Sequence, residues 1–204
     1  MLGTFKIAVL GSPGVGKTSI IRQFLYNEFS EGYSPSKEGC AYRSSVVLND
    51  NLFDLKMMDV PHIPEFPANR TQEWSDSRCR GVRSANAYVL VYDICCLDSF
   101  EYVKMIRQQI TDLRTSNNSH KVPIIVVGNK RDLQKQRFAR RRSLCVLVKK
   151  VWKCGYIECS AKYNWHVLLL FKELLSSTVE RGYKHSHASI CIQGALQGNR
   201  CSVM

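Results

Sequence analysis

Apolar residues fall along the chain in short runs that alternate with stretches of helical spacing. Residues 5–10 form a short, mainly apolar run ending at Gly11, and residues 19–28 place Ile20, Ile21, Phe24 and Leu25 on one helical face. This predicts a strand, a glycine loop and a helix. Residues 42–48 and 52–58 flank Asn49, Asp50 and Asn51, residue types that tolerate a tight turn, so they read as a hairpin. Residues 87–94 and 122–127 are continuous β-branched and aromatic runs, as expected of strands buried on both faces of a sheet. Between them, residues 99–113 place Val103, Ile106, Ile110 and Leu113 on one helical face. Helices over about 141–153 and 165–181 bracket a short strand at 156–159. The alternation predicts an α/β fold: three layers, a mostly parallel six-stranded sheet with helices on both faces, and ligands at the carboxyl ends of the strands.

Composition agrees with this picture. The chain has 204 residues, 45% apolar and 23% charged, which suits one domain with a real core and excludes disorder throughout. The longest apolar stretches, such as residues 167–171, fall far short of the roughly 20 residues that span a bilayer. One lysine before a short apolar run that reads into glycines makes a poor secretory signal, so the expectation is a cytosolic protein. Nine cysteines, odd in number, scattered and without CxxC spacing, argue for reduced thiols rather than a disulfide framework or zinc site. His185, His187 and Cys191 lie close together but lack a fourth ligand.

The net charge of +12 is concentrated. Residues 130–153 hold ten basic residues against Asp132 alone, and 181–204 add three with no acid. A positive patch fits either a phosphate-rich partner or a solvated helix face. Nucleic acid is disfavoured, because the patch lacks interleaved aromatics and any recognised nucleic-acid motif.

Residues 11–18 read GSPGVGKT, a match to GxxxxGK[ST] with the required strand before it and helix after. Backbone N–H groups of Gly11, Ser12, Pro13, Gly14, Val15, Gly16 and Ser19, as far as each residue has one, form an anion nest at a helix N-terminus. Lys17 reaches the outer phosphates, and the Thr18 hydroxyl is suited to magnesium. Asn129-Lys130-x-Asp132 follows one predicted strand, and Ser160-Ala161-Lys162 follows the next. One carboxylate accepts from both the ring N–H and the exocyclic amine of guanine, a pair adenine lacks. A buried, unmatched Asp132 would cost roughly 1–3 kcal/mol per lost hydrogen bond.

With these motifs the chain resembles the Ras-like small GTPases over residues 4–182. Within them it resembles the Ras-like family 10 proteins in the runs YDICCLDSFEYVKMIRQQI, NKRDLQ and CGYIECSAKYNWHVLLLF. The resemblance implies a GTP-binding domain over 1–182, bound GTP or GDP with magnesium, and effectors and regulators that the sequence does not name. It implies that Phe29 stacks on the guanine and that Tyr33, Pro35 and Ser36 belong to the first switch. Ser36 replaces the usual threonine beside magnesium and the terminal phosphate.

The second switch departs from the family's DxAGQ. Here it is Asp59-Val60-Pro61-His62-Ile63. Asp59 keeps the magnesium-supporting carboxylate, whereas Ile63 has no polar atom with which to hold the attacking water. Pro61, Pro64 and Pro67 restrict the segment to a rigid path or a polyproline partner motif. His62 reads as a substitute general base beside Lys17 or as a plain loop histidine. Pro13 stands where the family has a small glycine. These departures imply slow hydrolysis by a membrane-anchored switch, or a GTP-holding interaction module without useful hydrolysis. The final Cys201-Ser-Val-Met is a CaaX box favouring a farnesyl group, on a flexible tail over 183–204. One prenyl chain anchors marginally, so basic residues such as Arg181, Lys184 and Arg200, or palmitoylation of Cys191, are expected to help at the inner leaflet of the plasma membrane.

Overall fold

The computed structural model describes residues 4–32, 39–48, 51–116, 122–182 and 190–191. Its sheet is built from β1 (Thr4–Gly11), β2 (Cys40–Leu48), β3 (Asn51–Asp59), β4 (Ala87–Asp93), β5 (Ile124–Asn129), β6 (Gly155–Glu158) and the two-residue β7 (Ile190–Cys191). The order is β6-β5-β4-β1-β3-β2-β7. Strands β3, β1, β4, β5 and β6 pair in parallel, while β2 runs antiparallel to β3 and β7 antiparallel to β2. The six expected strands are all present, and β7 is added at the outer edge.

Alternation along the central strands divides the core between the two faces. Ile7, Val9, Val89, Val91 and Val127 pack with helices α1 (Lys17–Tyr26) and α5 (Val167–Gly182), where Phe24 and Phe171 meet at 4.1 Å. Ala8, Leu10, Tyr88, Leu90 and Tyr92 face α3 (Leu97–Ser116) and the segment after β3. Burial on both faces explains why β4 reads as an unbroken apolar run.

The predicted helix over 141–153 divides. Helix α4 (Arg141–Val146) passes into a π-helical turn, Leu147–Val151, in which Trp152 N–H bonds to Leu147 O at 3.0 Å. The wider turn seats Trp152 against Phe100, with ring centroids 5.6 Å apart, and apolar spacing cannot signal that extra residue. Helix α2 (Arg70–Ser75) and the short 3-10 turns Ser77–Cys79, Val82–Ser84 and Arg131–Gln136 have no counterpart in the apolar pattern. Helix α2 is one and a half turns long, too short for periodicity, although its Asn69 cap does accept from Gln72 N–H.

Among the described residues no helix is long and apolar enough to cross a membrane, and no group of histidine, cysteine or carboxylate side chains could hold a metal by itself. Cys40, Cys79, Cys95, Cys96, Cys145, Cys154 and Cys159 are not joined in disulfides. Tyr33, Pro35, Ser36, Lys184, His185, His187, Arg200 and Cys201 lie outside the described residues, as do the side chains of Arg181 and Cys191.

Candidate nucleotide site

The site forms where β1 gives way to α1. Gly14 (φ 73°) and Gly16 (φ 93°) hold left-handed backbone, and a Cβ on Gly16 would overlap Asn129 Nδ2. Gly14 has open space where a Cβ would be, so the loop presents bare backbone to a cavity of about 510 Å³. Pro13, Gly14, Gly16, Lys17, Thr18 and Ser19 line that cavity. Gly11 and Val15 are buried behind it, with Val15 in the core beneath α1.

Lys17 is largely buried, and its Nζ donates to Gly11 O at 2.9 Å and Ser12 O at 3.1 Å. Burial pulls its pKa below the ordinary lysine value, with the carboxylate of Asp59 partly opposing. Two of its three N–H donors are thus spent on the loop among the described residues.

The magnesium reading is tested at Asp59. Its side chain is 2% exposed; Oδ2 accepts from the Thr18 hydroxyl at 2.5 Å, and Oδ1 has no hydrogen-bond partner among the described residues. Burial raises its pKa, against the Thr18 hydrogen bond and the charge of Lys17. An orphaned carboxylate oxygen beside a hydroxyl fits a hard cation that keeps several other oxygen ligands. Because the folded state binds this proton more tightly than the unfolded chain, the contribution is favourable at low pH and is lost as pH rises through the raised value. Asp59→Asn is therefore expected to raise the melting temperature of nucleotide-free protein at pH 7 and to flatten its decline from acid to neutral pH. It should also abolish the acceleration of GDP release by EDTA. Thermal melts and release rates check both, and an unchanged EDTA effect would assign the cation elsewhere.

At the other end of the cavity, Asn129 is buried but lines the cavity, and its amide also ties parts of the protein together. Its Nδ2 donates to Val15 O at 2.9 Å, and its Oδ1 accepts from Ala161 N–H at 3.1 Å. It stitches the phosphate loop to the loop after β6. Asp132 is exposed at the cavity, and the Ser160 hydroxyl donates to its Oδ1 at 2.6 Å. Ser160 is itself buried and lies outside the cavity lining, so it orients the carboxylate. Lys130 (φ 62°) is paired with Asp93 at 2.7 Å, and Lys162 with Glu31 at 2.7 Å. Phe29, 39% exposed, lines the cavity together with Lys130, Asp132, Ala161 and Lys162. The phosphate and base motifs, far apart in sequence, thus share one cavity.

The segment after β3 runs along the rim. Pro61 and His62 line the cavity, but Ile63 turns away and is 0% exposed in the core with Val60 and Phe66. Several groups pin it there. Tyr102 donates to Ile63 O at 2.8 Å, Arg78 to His62 O at 3.2 Å, and Phe66 N–H to Gln109 Oε1 at 2.8 Å. The His62 ring packs on Tyr102 at 4.8 Å. Burial, then the charges of Lys17 and Arg78, lower the His62 pKa, which favours the neutral imidazole. His62 does not have positive φ. Pro61 and Pro67 are buried while Pro64 is exposed, so the three prolines do not form one face for a partner, and the rigid-loop reading fits better.

The basic stretch is partly consumed inside the fold. Arg137 pairs with the buried carboxylate of Glu158 at 2.7 Å, and Arg141, exposed like Arg140 and Arg142, approaches it at 3.6 Å. Tyr102, Arg78 and Glu31 escape the sequence reading because the contacts that give them a role join segments with no shared spacing.

The Ras family model matches residues 6–180. The chain is 57% identical to Ras-like protein family member 10B of Homo sapiens and 47% identical to Ras-like protein family member 10A of Mus musculus, each over the whole of both chains. It is 34% identical to GTP-binding protein Di-Ras2 of Macaca fascicularis over 84% of this chain and 80% of that one. The phosphate loop, the base loops and their order on the sheet are thus accounted for together: the chain belongs to the Ras family of small GTPases.

Proposed function

We propose that this protein is a membrane-anchored guanine-nucleotide switch whose intrinsic hydrolysis is slow. Binding of GTP or GDP with magnesium rests on the shared cavity, with the phosphate loop and Lys17 for phosphates and Asp132 with Phe29 for the base, and on the contact of Thr18 with Asp59 for magnesium; Ser36, outside the described residues, is assigned to magnesium by the resemblance alone. Slow turnover rests on one observation. Ile63, at the position of the water-orienting glutamine, is buried in the core with its carbonyl held by Tyr102. A side chain pointing into the core positions no water, whatever its chemistry. The experiment is single-turnover hydrolysis of preloaded GTP beside a glutamine-bearing relative; equal rates would overturn the reading.

The same pinned segment favours a second reading, a GTP-holding interaction module without useful hydrolysis. If the second switch keeps one shape in both nucleotide states, partners read only the first switch. Hydrogen exchange over residues 60–80 with GDP and with a non-hydrolysable GTP analogue separates the two readings.

Anchoring rests on Cys201 in the CaaX box, aided by charge. Cys201→Ser is expected to move the protein from membrane to soluble fraction, with partial release of the wild type in high salt. Each basic residue near an anionic leaflet adds roughly 1 kcal/mol. Since Arg141 also approaches Glu158, at 3.6 Å, the charge test that leaves this contact intact replaces Arg140 and Arg142 by glutamine. Partial release at low salt is expected, and no change would turn that face towards solvent or another protein.

A further inference from the structure

Two loops meet at the base end of the cavity. One, residues 129–132, presents Asp132; the other, residues 159–166, carries Ser160 and Ala161. The second loop holds Asn164 (φ 52°) and His166 (φ 58°) in left-handed backbone, which non-glycine residues keep only when their surroundings enforce it. It closes on itself through Ser160 N–H to Trp165 O at 3.1 Å and Trp165 N–H to Ser160 O at 3.0 Å. Asn164 Nδ2 also donates to Asn27 Oδ1, 2.8 Å away at the end of α1.

Trp165 then reaches across to the first loop. The guanidinium carbon of Arg131 lies 3.5 Å from its ring centroid, and the His166 imidazole stacks on the same indole at 3.3 Å and 19°. Arg131 N–H donates to Cys159 O at 3.1 Å. Arg131 stands between Lys130 and Asp132, so its side chain couples the backbone presenting Asp132 to the backbone carrying Ser160. Neither Arg131 nor Trp165 lines the cavity.

We propose that Arg131 and Trp165 are positioning residues: their stack clamps the two base loops at the separation guanine requires and thereby sets base selectivity and nucleotide residence time. The proposal rests on the reading of the cavity as a guanine-nucleotide site. Asp132 must meet the ring N–H and the exocyclic amine of guanine at once, a demand of geometry that a drifting loop fails. Hypoxanthine lacks the amine and loses less when the loop drifts.

The test uses the full chain loaded with fluorescent GDP. Trp165→Ala and Arg131→Ala should each release it roughly 3- to 30-fold faster, the range a part-buried guanidinium–indole stack supports. The double variant should release it no faster than the quicker single one, because both substitutions remove one contact. The preference for GDP over IDP should fall in each, a change that loss of stability alone does not produce. Trp165→Phe, which keeps an aromatic face, should recover most of the residence time. Release within about twofold of wild type, multiplicative effects in the double variant, equal weakening of GDP and IDP, or failure of Trp165→Phe to rescue would each overturn the clamp. If Trp165→Ala does not fold, Arg131→Ala decides by the same release and selectivity criteria. A wild-type protein with no preference for GDP over ADP would instead sink the guanine reading, independently of the variants.

Discussion

Lys17→Ala is expected to abolish nucleotide binding at ordinary assay concentrations. The ammonium is seated by Gly11 O and Ser12 O, where the mouth of the loop turns towards the cavity. A charge-assisted hydrogen bond contributes roughly 1.5–3 kcal/mol, so losing the bond that the third donor makes to phosphate weakens binding about 10- to 10²-fold before any change in the loop. Truncation also leaves two loop carbonyls without their donor, so the nest itself loosens. Lys17→Arg should not restore affinity, because a planar fork cannot replace a compact ammonium in this enclosed seat. Titration of labelled GDP and ADP measures the effect, and a Kd within tenfold of wild type would remove Lys17 from phosphate binding. In the same assay Asp132→Asn should shift preference towards xanthine, whose 2-oxo group accepts from an amide. A variant that still prefers guanine would assign base reading to another group.

Hydrolysis of bound GTP should run about 10²-fold below a glutamine-bearing relative measured side by side, the scale of loss when a reacting water is misplaced. Ile63→Gln should not rescue it. The side chain at 63 points into the core between Val60 and Phe66, so the new amide would be buried without partners at a cost of about 1–3 kcal/mol. The expected signature is therefore a lower melting temperature with an unchanged rate. A rate that rises to the relative's would mean that the segment repacks readily and that Tyr102 does not hold it. His62→Ala tests the histidine in the same experiment. A residual rate unchanged within about threefold is expected, and a loss near the roughly 10²-fold typical of a missing general base would identify His62 as that base.

Much of this site is legible in the chain because its chemistry is local. The phosphate nest needs glycines at fixed offsets from Lys17, and Gly14 and Gly16 do occupy left-handed backbone. The base motifs sit at the ends of β5 and β6, each announced by its own apolar run. Apolar periodicity likewise marks β1, α1, β4 and α3, since each element buries whole faces.

Other assignments depend on what an element meets. Asn129 reads as part of a base motif and does line the cavity, but that its amide also bonds Val15 and Ala161, more than 30 residues away on either side, is not legible in the motif. Ile63 lies in the core although its neighbours His62 and Pro61 line the cavity. Arg137 and Arg141 read as a charged face until the buried Glu158 is seen beside them.

The sequence by itself determined the α/β alternation, the phosphate loop and the base-reading motifs, because each is carried by residues within a few positions of one another. Only the tertiary structure decided that the second switch is pinned to α3, that Arg131 stacks on Trp165, and that Glu158 draws off part of the basic patch. Those contacts join segments remote in the chain, and a side chain's direction there is set by packing and charge pairing that no local spacing encodes.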